Sequence, residues 1–206
     1  MAKFKVINIL DMLESIGEDG VKEVLSDFSC PLNCEIEHFV KVDSIPFSRN
    51  KSSITHFVID ESSSVVAMFC LAHKAIEISS SGLTKTIQRK MTRFSELSEE
   101  DKSYKISAFL IAQFSKNFAC ENCPITGDEL MNLAIEVLEN VQKQIGGCVV
   151  YLECENKEEL LAFYQNDQNR FRIFDIRESK DGTIYQQLFR WILFNKFRYY
   201  TRKIST

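Results

Sequence analysis

Apolar residues change their spacing twice along the first half of the chain. Val6, Ile9, Leu10, Leu13 and Ile16 recur at helical intervals until the stretch from Gly17 to Gly20 interrupts them, which predicts a helix, a break and a second short helix around Val21 to Leu25. After Phe28-Ser29-Cys30-Pro31 a further stripe, Ile36, Phe39 and Val40, predicts a helix ending before Pro46. The pattern then turns to strands. Thr55 to Asp60 and Val65 to Ile78 read as an antiparallel pair about the polar turn Glu61-Ser62-Ser63-Ser64, and Lys105 to Phe114 reads as the next strand. The stretch between, about 25 residues, is long for a structureless connection in a compact domain. Its centre, Thr84 to Arg93, reads as a basic helix.

In the second half the helical signal is strongest after Gly127, where Leu130, Leu133, Ala134, Val137, Leu138, Val141 and Ile145 form one stripe that Gly146-Gly147 ends. Thr126 and Glu129 have the spacing of a capping box, and Ile125 and Leu130 that of a hydrophobic staple, so several residues specify this start together. Cys148 to Glu155 is almost continuously apolar, as in a central strand covered on both faces. Lys157 to Asn166 reads as a helix, and Phe171 to Ile176 with Thr183 to Ile192 as a closing antiparallel pair around Asp181-Gly182. Residues 194–206 are a basic tail carrying Lys196, Arg198, Arg202 and Lys203.

The 206 residues, 45% hydrophobic and 26% charged, are enough for one buried core, so a single domain over 1–206 is expected. A net charge of -4 argues against a surface built throughout for nucleic acid, while leaving room for local basic patches. No apolar run has the ~20 residues of a membrane span, and the first residues lack a signal-peptide layout, so a cytoplasmic protein is expected. Seven cysteines cannot all pair. Cys70, Cys148 and Cys154 fall in strand-like runs and read as buried thiols. Cys30, Cys34, Cys120 and Cys123 make a zinc site conceivable, but CPLNC lacks the tight knuckle spacing and no metal is assigned.

The order of elements resembles that of the Gcn5-related N-acetyltransferases. N-terminal helices precede three antiparallel strands, then follow helix, strand, a short helix with Phe163-Tyr164, and a final strand pair, over about residues 4 to 193. The resemblance implies an α/β three-layer fold, a central mixed and largely antiparallel sheet flanked by helices. It implies acetyl-CoA as acyl donor, held between two diverging strands. By position, the pantetheine would meet the backbone of Phe114, Ser115 and Lys116, and the pyrophosphate would meet Thr126, Gly127 and Asp128 at a helix start. Asn156 is placed with the cofactor, one residue further from Tyr164 than the family's asparagine. Tyr164 falls where the family has the general acid that protonates the departing thiolate.

The sequence also departs from the family. KNFACENCPITGDEL lacks the glycine-rich phosphate signature, and only Gly127 offers an unhindered approach. Asp128 and Glu129 suit the first turn of a helix without any ligand and oppose an anion, a repulsion that Lys116 and Asn117 would offset. Lys105 to Phe114 contains no Asp, Glu or His as a general base; His73 and Glu77 on the preceding strand are the nearest. Lys85, Arg89 and Arg93 repeat every four residues with Lys90 beside them. That face is either simply solvated or fitted to an anionic acceptor such as a tRNA, as in the acetyltransferase toxins, which share a Phe-x-Cys turn like Phe28-Ser29-Cys30. Three readings stand: direct acetyl transfer to an amine, a toxin-like enzyme acting on aminoacyl-tRNA, and a non-catalytic binding module. Whether two copies pair is left open.

Overall fold

A computed structural model describes residues 4–120 and 123–192. The basic tail, 194–206, lies outside the described residues. Strand β1 (Lys5–Asn8) leads into α1 (Ile9–Leu25), followed by α2 (Cys34–His38), a π-helical turn (Phe39–Asp43) and α3 (Ser44–Arg49). Then come β2 (Ile54–Ile59), β3 (Val65–Ser79), α4 (Lys85–Met91) and β4 (Ser103–Lys116). The chain continues with α5 (Gly127–Ile145), β5 (Val149–Glu155), α6 (Glu158–Gln165), β6 (Arg172–Glu178) and β7 (Ile184–Trp191).

All seven strands form one sheet in the order β1-β2-β3-β4-β5-β7-β6. Among the described residues only β4 and β5 run parallel. On one face Phe69, Leu71, Ile111, Val150 and Leu152 pack with Leu130, Ala134 and Leu138 of α5 and Tyr164 of α6. The opposite face is covered in two patches. Phe57, Met68 and Cys70 meet α1, the π-turn and α3, while Ile76, Ile78, Tyr104, Ile106, Tyr151 and Phe189 meet Met91 of α4. These are the three layers expected. Near the second patch a groove runs between Ser79, Gly82 and Leu83 on one side and Ile173 to Ile176 of β6 on the other.

Three local expectations are corrected. Val6 belongs to a strand, because Lys5 to Asn8 pair with Ile59 to His56, and Asn8 then caps α1 by accepting from the Leu10 amide at 2.9 Å. Four residues are too few for periodicity to separate strand from helix. The break falls at Gly17 alone, whose φ of 71° is open to glycine, and Gly20 lies within the resumed helix. Pro46 does not stop the helix before it. It sits in the first turn of α3, where no intrahelical partner is needed for its missing N–H. Strand β4 also runs two residues further at each end than predicted. It carries a bulge, since Leu71 pairs with Ile111 and Cys70 with Gln113, leaving Ala112 without a partner.

Candidate cofactor and acyl-transfer site

The sheet opens between its two parallel strands. β4 and β5 are in register only at Phe109 with Val150 and Leu110 with Tyr151. Beyond that point β3 alone holds β4, as far as Ala67 with Lys116, and β7 alone holds β5, as far as Tyr185 with Glu155. Each strand therefore turns an unpaired edge toward the gap. The bulge at Ala112 falls just where the strands part and bends β4 away.

The far end of β4 is latched to the turn before α2. Asn117 is buried, accepts from the Ser29 and Ala119 amides at 3.0 Å each, and donates to the Val65 carbonyl at 2.8 Å. Its side chain is thus committed to the latch, contrary to the expectation that it would offset charge at a phosphate. The Phe118 amide donates to the Ser29 carbonyl, and Cys30 Sγ lies 3.3 Å from Ser115 Oγ, which gives the Phe28-Ser29-Cys30 turn its place beside the opening. Ser115 turns its side chain inward, so it has only backbone to offer. Lys116 holds its ammonium 5.9 Å from the centre of the Phe118 ring.

At the start of α5 the capping box is complete. Glu129 Oε2 accepts from the Thr126 amide at 2.8 Å and hydroxyl at 2.9 Å, and the Thr126 hydroxyl accepts from the Glu129 amide at 3.2 Å. Of the residues expected at a pyrophosphate, Gly127 and Asp128 keep amides outside this box; Thr126 does not. Asp128 Oδ1 accepts from Asn169 at 2.9 Å and Asn166 at 3.3 Å, tying the helix start to the turn after α6. Gly127 faces a side chain: a Cβ there would lie 2.9 Å from Cε2 of Phe163. That ring in turn sits 6.1 Å from Phe114 and 4.9 Å from Tyr164, centre to centre.

Tyr164 is buried, edge-on to Phe163 and Phe171, and its carbonyl accepts from the Phe171 amide at 2.9 Å. Burial, and secondarily the nearby Cys154 thiol, pushes its phenol far above the ordinary value. The group stays protonated through the physiological range. Asn156 is exposed and spends its amide on the Ile184 carbonyl at 3.0 Å.

No family model matches the chain, and no curated protein matches it. Solved structures do. The toxin AtaT complexed with acetyl-methionyl-tRNAfMet superposes with a TM-score of 0.62 at 12% identity, over 89% of this chain and 93% of that one. AtaTR bound with acetyl-CoA gives 0.60 at 14% identity, over 93% and 95%. A putative acetyltransferase of the GNAT family from Desulfovibrio desulfuricans gives 0.51 at 9%, over 92% and 99%. The fold is that of the Gcn5-related N-acetyltransferases. The parted strands, the capped α5 and the short helix α6 follow one another in the order read from the sequence.

The face of the opening away from α5 and α6 carries groups that sequence reasoning missed. Glu153 Oε1 accepts from the Tyr151 hydroxyl and from Gln187 at 2.8 Å, and Oε2 accepts from Nε and Nη2 of Arg177 at 2.7 Å each. Burial raises the Glu153 carboxyl, but bonds from Arg177, Tyr151 and Gln187 outweigh it and hold the group below its ordinary value. Its acceptor sites are filled, so it braces β5 against β7 and β6 where β4 has left. Two-residue alternation of Tyr151, Glu153 and Glu155 within the apolar run was the available signal.

The two residues expected as base candidates lie on β3. His73 lies 2.9 Å from Ser107 and edge-on to Phe109, on the α5 face. Glu77 accepts from Ser103 at 2.5 Å and pairs with Lys105, five positions from the Ala72 and Leu110 pair, or ~17 Å along the strand. Lys85 and Arg89 are exposed on α4, and Arg93 lies just past its end. Of the four acids that follow, Glu99 pairs with Lys102 at 2.5 Å and Asp101 accepts from Ser98 at 3.2 Å, while Glu96 and Glu100 remain to offset part of the positive charge. Lys90 lies 5.9 Å over the Trp191 ring. Among the described residues Cys30, Cys34, Cys120 and Cys123 do not converge on a common point.

Proposed function

We propose that the chain is an acetyl-CoA-dependent N-acetyltransferase that passes the acetyl group directly to an amine. The observation that carries this reading is the opening between β4 and β5 with a buried, protonated Tyr164 beside it. The pantetheine arm lies along the free edge of β4 at Phe114, Ser115 and Lys116, where its amides add a rung to the strand. The pyrophosphate meets the amides of Gly127 and Asp128, with Thr126 holding the helix start and Asn156 reaching in by its side chain.

The acceptor nitrogen attacks the thioester carbonyl, a C–N bond forms, and collapse of the tetrahedral adduct breaks the C–S bond. The sulfur takes the Tyr164 proton, and the nitrogen gives up its own to solvent. The phenol is neutral before the thiolate forms, and because burial weakens it as an acid its proton passes only as the C–S bond breaks, with solvent restoring it afterwards.

For the acceptor, the amine of an aminoacyl-tRNA is favoured by the exposed Lys85, Arg89 and Arg93, which have no ion pair among the described residues. A comparison structure, AtaT, is itself complexed with an acetylated methionyl-tRNA. Asp128 and Glu129 at the start of α5 weigh toward weak cofactor affinity, and in the limit toward a binding module without catalysis. Calorimetric titration with acetyl-CoA, followed by mass spectrometry of aminoacyl-tRNA incubated with protein and acetyl-CoA, tests the proposal. Binding together with an added acetyl group on the aminoacyl amine is expected. Absence of any acetyl-CoA binding would leave the module as the surviving reading.

A further inference from the structure

Three elements meet on the α5 side of the opening, and one side chain touches all of them. The Phe163 ring of α6 lies 6.1 Å from the Phe114 ring of β4, inclined at 33°. It also fills the space in front of Gly127, where a Cβ would come within 2.9 Å of Cε2 and 3.3 Å of Cζ. Carbon atoms in contact sit ~3.5–4.0 Å apart, so a chain threaded between two rings needs them roughly 7–8 Å apart. The rings are closer than that. On the acetyltransferase reading, a pantetheine arm joining the amides of Gly127 and Asp128 to the backbone of Phe114 would run past the Phe163 ring, which borders both. Both phenylalanines are only partly buried, which leaves the ring a solvent side to turn toward.

We infer that Phe163 is the gate of the cofactor site, and that residue 127 is glycine so that this ring can close against the start of α5. The inference rests on the acetyltransferase reading. The closed ring competes with the arm for one space, so affinity is reduced by the fraction of molecules in which the gate is shut. The ring also packs edge-on against Tyr164 at 4.9 Å, so the movement that admits the arm uncovers the phenol as a thioester arrives to receive its proton.

Stopped-flow association of the full chain with a fluorescent CoA, competed by acetyl-CoA, tests the gate. A single ring turns far faster than mixing, so the gate shows in the bimolecular rate, which is scaled by the open fraction. Phe163→Ala should raise the association rate about tenfold if roughly a tenth of the molecules are open at any moment. Gly127→Ala should slow association by propping the ring shut, and the same change in the Phe163→Ala background should have no effect, since no ring remains to meet the added methyl group. Should Phe163→Ala fail to fold by circular dichroism, Phe114→Ala opens the same gap from the other wall and should act in the same direction.

Equal association rates in wild type and both ring variants would overturn the gate and leave the cofactor reading intact. A full Gly127→Ala defect persisting without the ring would mean that the glycine serves the phosphates, and would also overturn it. If neither wild type nor any variant binds CoA, the acetyltransferase reading falls and the gate falls with it.

Discussion

Truncating Glu153 to alanine should cost far more stability than an exposed ion pair would. The Tyr151 hydroxyl, in a residue 1% exposed, loses the acceptor of its proton and keeps only Gln187 at 3.3 Å. An unmet buried donor of this kind costs ~1–3 kcal/mol. The Arg177 side chain is 45% exposed and regains water, so its share is at most ~1 kcal/mol. The expected loss is therefore about 1–4 kcal/mol, read as a fall in the urea midpoint at unchanged slope. Adding Tyr151→Phe to Glu153→Ala should recover part of it, because the orphaned hydroxyl goes too. The pH dependence has a definite sign. Net hydrogen bonding holds the folded Glu153 below its ordinary 4.5, so its stabilisation is complete above that value and is lost as pH falls through the folded pKa. The gap between wild type and Glu153→Ala should be flat from pH 6 to 8 and close in acid. A gap under ~0.5 kcal/mol at neutral pH, or one that widens in acid, would refute this account of the network.

Tyr164→Phe should lower turnover by ~100-fold or more with little change in acetyl-CoA affinity, since a general acid acts on the leaving thiolate and not on the bound thioester; full activity in the variant would remove it from the mechanism. Replacing Lys85, Arg89 and Arg93 together by alanine should weaken tRNA binding and flatten its salt dependence without altering acetyl-CoA affinity. Identical tRNA binding by wild type and triple variant across a salt series would point to another acceptor. Asn117→Ala strips the latch of three hydrogen bonds in a buried place and should cost ~2–4 kcal/mol in thermal or urea unfolding.

Elements set by local residues were legible before the fold was known. The Gly127–Ile145 helix combined cap, staple and stripe within twenty residues, and its observed bounds agree. The order of strands and helices likewise pointed to the sheet and its three layers. What escaped depends on partners distant in the chain. Gly127 and Phe163 are 36 positions apart, and nothing in either neighbourhood says that the glycine answers to a ring. Arg177 reaches Glu153 from 24 positions away. Asn117 looked available to a phosphate because its true partners, Ser29 and Val65, come from two earlier segments. The short β1 was hidden for a different reason: its pairing with β2, not its own pattern, makes it a strand.

Because two residue pairs are all that join β4 to β5, the sheet is mechanically two plates on a narrow hinge, one made of β1 to β4 and the other of β5 to β7. A change in the angle between them would work against the core residues that span both, Ile111 with Val150 and Leu152 on one face and Ile106 with Tyr151 on the other. The groove near α4 has one bank on each plate, Ser79 to Leu83 on the first and Ile173 to Ile176 on the second. A group seated in the opening that changed the angle between the plates would therefore change the width of this groove as well, although the two share no side chain.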